Sequence, residues 1–124
     1  MHSNLNITSD QIAQYQRDGA ILVKDFLTGD ELALLKQGLE ESYTNPGKRF
    51  SRIRSKAGEG ETFLETFPTQ SSPSLQQLLA VRRVPELAAR MMERPSAQLI
   101  LDQVFYKKKG VVNPTPWHQD TPYL

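Results

Sequence analysis

The chain has 124 residues, enough for one domain, and its 38% hydrophobic and 23% charged content is that of a globular protein with a light core. Fifteen basic residues against 14 acidic ones give a formal net charge of +1, so overall charge makes no case for a nucleic-acid partner. Cysteine is absent, which excludes disulfides and thiolate metal sites and leaves His, Asp, Glu or backbone oxygen to hold any metal.

Met1 to Ile7 is polar, lacks the basic start and apolar run of a secretory signal, and reads as a disordered N-terminus. No apolar stretch approaches the roughly 18 residues of a membrane span, so no membrane partner is expected and a cytoplasmic location is. Thr8 and Gln11 then stand at capping-box spacing, with Ile7 and Ile12 placed as a hydrophobic staple, and Gly19 suits a left-handed end. They predict a helix from Ser9 to Asp18. Ala20 to Lys24 is short and β-rich, which predicts a strand. Thr28 and Glu31 repeat the capping box, with Leu27 and Leu32 as staple. Leu32, Leu35 and Leu39 carry the helical period from Gly29 to about Tyr43, where Asn45-Pro46-Gly47 stops it.

Residues 48–61 hold Lys48, Arg49, Arg52, Arg54 and Lys56 with few apolar positions, and read as a mobile basic loop that permits an anionic substrate. Only Phe50 is interleaved with the basic residues, too little for a base-stacking platform, so nucleic acid is not an expected partner. Ser72-Pro73 opens a short helix through Leu75, Leu78 and Leu79. Another runs from about Pro85 to Glu93, with Met91 and Met92 as core filler. From Ala97 to Lys107 the pattern is extended and apolar on both faces, which predicts a strand covered on both sides. Gly110, Asn113-Pro114 and Pro116 follow as a turn or loop.

His118 and Asp120 are the residues that carry chemistry. On an extended segment, residues i and i+2 point to one face, so a ring nitrogen and a carboxylate oxygen can converge on one ion. One further ligand completes the two-His, one-carboxylate facial triad of non-haem iron oxygenases, which leaves positions open for a chelating cosubstrate and dioxygen. His-x-Asp alone is a weak signal; its flanks are more specific.

Thr115-Pro116-Trp117-His118-Gln119-Asp120, followed by Tyr123, closely resembles the first metal motif of the phytanoyl-CoA dioxygenase family. Upstream, Tyr15 to Val23, Phe26-Leu27, Asp102-Gln103 and Phe105-Tyr106-Lys107 resemble that family's segments in the same order. The resemblance implies an α+β fold, with N-terminal helices and the first strands of a double-stranded β-helix, or jelly roll. It implies an Fe(II)- and 2-oxoglutarate-dependent dioxygenase that hydroxylates a small organic substrate, with His118 and Asp120 as metal ligands. Lys107 becomes a candidate contact for 2-oxoglutarate or substrate, Gln103 a weaker one, and Trp117 a residue that packs, beside the metal or in the core.

The family's distal His and Arg have no counterpart here. The other histidine, His2, lies near the N-terminus, and about three strands are legible where a jelly roll needs eight. A fragment of a full enzyme is the leading expectation. A degenerate, non-catalytic family member acting as a binding module is the alternative, and a barrel completed by a second chain the third.

Overall fold

In the computed structural model, which describes residues 5–56, 59–110 and 113–120, both capping boxes close. Thr8 Oγ1 accepts from the Gln11 N–H at 3.2 Å, and Gln11 Oε1 accepts from the Thr8 N–H at 2.9 Å. They start helix α1 (Ser9–Asp18), which ends at Gly19 with φ 76°, a conformation glycine adopts without the Cβ penalty. Thr28 and Glu31 do the same for α2 (Gly29–Thr44), one residue longer than expected. The Glu31 carboxyl is held below its usual range, first by the Thr28 N–H and then by the Arg83 guanidinium that pairs with it.

Residues 5–7 differ from the disordered N-terminus expected. Arg90 Nη1 donates to the Leu5 carbonyl at 2.8 Å and Nη2 to that of Ile7 at 3.2 Å, and Ile7 is buried. His2 lies outside the described residues. Ala20–Lys24 is not a strand, and Leu22 is exposed. Strand propensity alone does not order a segment; its backbone needs a ladder partner, and among the described residues none pairs with it.

Helix α3 (Pro73–Leu79) is capped by Ser72, and α4 (Arg83–Met91) begins two residues before the expected start. Helix α4 packs on α1, where Gln16 Nε2 donates to the Met91 carbonyl at 2.6 Å. Met91 is buried but Met92 is exposed, so only the first fills core.

The sheet is antiparallel in the order β1 (Phe50–Arg54), β2 (Glu61–Thr66), β3 (Gln103–Lys107). With four helices, the described residues are α+β. Strand β1 falls where the sequence suggested a basic loop. Its charged residues are accommodated because Arg52 lays its guanidinium over the Tyr43 ring at 4.2 Å and the Phe63 ring at 5.0 Å. Arg52 also donates to the Tyr43 carbonyl and faces Glu61 at 3.5 Å. A cation stacked on aromatic faces covers apolar surface while its charge stays wet.

Register places Phe50, Glu65 and Val104 on one sheet face with Arg52, Phe63 and Tyr106. Against this face pack Leu35, Leu39 and Tyr43 of α2 and Leu75 of α3, forming the core with Phe63 and Val104. Helices α2 and α3 come close because position 38 is glycine: a Cβ there would lie 2.5 Å from Leu75 Cγ. The opposite face carries Ile53, Thr62, Leu64, Phe105 and Lys107. Phe105 is 61% exposed while Val104 is 7% exposed, so β3 is covered on one side, not two. It is also shorter than expected: the Asp102 carbonyl still accepts from the Phe67 N–H at 2.8 Å, but residues 97–101 find no ladder partner among the described residues and leave Leu99 and Ile100 exposed.

Glu41 ties α2 to the start of α3. Its carboxylate accepts from Ser72 Oγ at 2.6 Å, Ser74 Oγ at 2.8 Å and the Ser74 N–H at 3.2 Å. These bonds, the Ser72 hydroxyl first, hold its pKa down to about 2 from 4.5. A depressed folded pKa gives stability that is present above the unfolded value and lost as pH falls toward the folded one. Thermal melts should therefore show a loss between pH 4.5 and 2 that is smaller in Glu41→Gln, which starts lower at pH 7. Equal acid sensitivity in both proteins would refute this.

Candidate metal centre

After β3 the chain turns back on the β1–β2 connection. Lys108 N–H donates to the Glu61 carbonyl at 2.8 Å, extending the ladder by one bond. Gly110 has φ 126°, and a Cβ there would stand 2.9 Å from Gly60 N. Both the conformation and the close backbone approach require glycine. Beyond it, Ser55 Oγ donates to Asn113 Oδ1 at 3.4 Å and Lys107 Nζ donates to Thr115 Oγ1 at 2.9 Å. The prolines at 114 and 116 push the residues before them, Asn113 and Thr115, toward extended backbone, and residues 113–119 carry no helix or strand.

His118 and Asp120 come together on this segment. His118 Nε2 lies 3.1 Å from Asp120 Oδ1, and His118 Nδ1 lies 2.8 Å from the Pro116 carbonyl. A carbonyl can only accept, so Nδ1 carries the proton and donates. At that distance Nε2 and Oδ1 form an ion pair when the ring is protonated, and in the neutral ring Nε2 sets a lone pair beside the carboxylate oxygen, two donor atoms that can face one cation. Two donors bound at right angles, each roughly 2.1 Å from one ion, stand about 3 Å apart. The observed separation fits adjacent ligands of one metal ion. The backbone carbonyl on the far ring nitrogen is the usual partner of a metal-ligating histidine. Both side chains are open to solvent, at 46% and 78% relative exposure, so an ion can reach them.

The other residues singled out from the sequence divide. Lys107 is joined to the metal segment through Thr115. Gln103 is on the same sheet face but four residues back, about 13 Å along the strand, and its Nε2 donates to Thr66 Oγ1 at 3.1 Å. Trp117 does not pack: its side chain is fully exposed. Alternation along an extended chain turns it away from the face used by His118 and Asp120. Among the described residues no group of three or more His, Cys, Asp or Glu could hold a metal ion. Thr115 and Pro116, which position this segment, had no role assigned from sequence; a hydroxyl and a carbonyl leave no compositional signal.

The fold and the pair together define an α+β protein in which a histidine and an aspartate converge on an extended segment. The chain belongs to the phytanoyl-CoA dioxygenase (PhyH) family, whose model matches residues 15–124, and so to a dioxygenase-type group of proteins. No curated protein and no solved structure matches it. Among the described residues no helix is long and apolar enough to cross a membrane.

Proposed function

We propose that His118 and Asp120 are two of three Fe(II) ligands in a 2-oxoglutarate-dependent dioxygenase that hydroxylates a small organic substrate. The carrying observation is the 3.1 Å convergence of His118 Nε2 and Asp120 Oδ1, with the ring set by the Pro116 carbonyl. On this reading the third ligand is a distal histidine, and the sheet is the first part of a double-stranded β-helix. Its uncovered face, with Leu64, Phe105 and Lys107, supports that reading, because such a face lines the interior of a closed barrel. Bound in a facial set, iron supplies dioxygen activation at the positions left open.

This chain's own residues hold the ion, orient the histidine ring and supply cations near it. Lys107 is the candidate contact for a carboxylate of 2-oxoglutarate or of substrate. Its ammonium has three donors, of which Thr115 takes one. An anionic substrate and a cytoplasmic setting complete the reading.

Anaerobic calorimetry tests it. The 124-residue chain should bind Fe(II) or Co(II) weakly, should bind 2-oxoglutarate only once metal is present, and should not turn it over alone. Binding of 2-oxoglutarate that ignores the metal would overturn the proposal. Metal binding that survives alanine at both 118 and 120 would favour a non-catalytic binding module.

A further inference from the structure

We propose that Lys107 is a positioning residue for the metal pair, its ammonium latching Thr115 so that the Pro116 carbonyl presents His118 Nε2 toward Asp120. The inference rests on the metal-site reading above and goes beyond it, because it gives Lys107 a role before any cosubstrate arrives. Lys107 is the last residue of β3, hydrogen-bonded into the sheet opposite Thr62. It is a fixed point. Thr115 lies eight residues further on, in a segment with no ladder of its own, and the Lys107 Nζ to Thr115 Oγ1 bond of 2.9 Å joins the two. From Thr115 the path to the ligand is short. Pro116 follows directly, with φ fixed by its ring, and its carbonyl bonds His118 Nδ1 at 2.8 Å.

Two other anchors narrow the path without replacing the latch. The Gly110 approach to Gly60 fixes where the chain turns, and the Ser55 to Asn113 bond fixes the start of the segment. Neither reaches past Asn113. At Thr115 the sheet holds the segment through a side-chain bond directly before Pro116. A charge-assisted bond is suited to this, since it is stronger and shorter than a neutral one. Interactions of this outer kind commonly tune metal affinity by about ten- to a hundredfold.

The test is a double-substitution cycle on the whole chain, read in two ways. Lys107→Met and Thr115→Val should each weaken Co(II) binding roughly tenfold, and the double variant should be no weaker than either, since both break one bond. Lys107→Arg, which keeps a cationic donor, should recover most of the affinity. Thermal stability should not change, because both side chains are exposed. The second readout needs no metal. Trp117 is the only tryptophan and adjoins His118, so its fluorescence anisotropy reports how firmly the segment is held. It should fall by the same amount in Lys107→Met, Thr115→Val and the double variant.

Unchanged anisotropy in Lys107→Met, or additive losses in the double variant, would overturn the latch. If anisotropy falls as expected while wild-type chain binds no Co(II), the latch stands as a structural tie and the metal reading fails. If Lys107→Met loses only 2-oxoglutarate affinity, Lys107 is a cosubstrate contact and not a positioning residue.

Discussion

Replacing Asp120 with alanine is expected to weaken divalent-metal binding by more than about a hundredfold, beyond the range usual for residues that only support a ligand. The carboxylate is the only anion of the pair, and without it His118 offers one neutral nitrogen in open solvent. Asp120→Asn keeps the shape and one carbonyl oxygen but removes the charge, and should fall between wild type and alanine. His118→Ala should match Asp120→Ala, and the double alanine variant should be no worse than either, because two ligands of one ion act as a unit. None of these changes should move the melting temperature of the metal-free chain, since both side chains are exposed and exposed substitutions usually stay within about 0.5 kcal/mol. Calorimetry with Co(II) or anaerobic Fe(II) reads the affinity. An Asp120→Ala chain that binds as tightly as wild type would remove the metal site from this segment.

The parts of this molecule that could be read in advance are those decided by near neighbours. Thr8 with Gln11 and Thr28 with Glu31 start their helices through bonds three residues apart, and Ser72 does the same for α3. His118 and Asp120 converge because an extended backbone repeats every two residues. What could not be read depends on distant partners. Strand β1 looks like a loop until Arg52 is placed over Tyr43 and Phe63 and Phe50 opposite Glu65. Ala20–Lys24 and residues 97–101 have the composition of strands and lack, among the described residues, the neighbours that would pair with them. At the site, the approach of His118 to Asp120 was legible and its supports were not. The Pro116 carbonyl and the Thr115 hydroxyl act through positions that only the fold creates, and the Trp117 side chain, expected to pack, stands in solvent.

The largest expected loss of stability follows removal of Glu65. This side chain is fully buried on β2, on the face that carries the core. Its Oε1 accepts from the Gly47 N–H at 2.6 Å and from Ser71 Oγ at 2.7 Å, and its Oε2 accepts from Ser42 Oγ. Those three donors belong to the end of α2, the turn that follows it, and the segment leading into α3. One carboxyl group therefore fastens both core helices to the sheet. No buried side-chain polar atom among the described residues lacks a partner, and Glu65→Ala would leave the Ser42 hydroxyl and the Gly47 amide without theirs, while Ser71 Oγ falls back on the Pro68 carbonyl at 3.0 Å. Each buried unpaired group costs about 1–3 kcal/mol, and partial entry of water reduces the sum, so a loss of about 3–5 kcal/mol is expected, comparable to breaking a buried charged pair. For a chain of this size that is a large part of a typical total of about 5–15 kcal/mol. Glu65→Gln keeps an acceptor for Gly47 and Ser71 and turns a donor toward Ser42, whose hydroxyl can rotate to accept. Its cost should be nearer 1–2 kcal/mol. Urea denaturation of the three proteins gives the comparison. A Glu65→Ala chain within 0.5 kcal/mol of wild type would mean that α2 and α3 are held to the sheet by apolar contact alone.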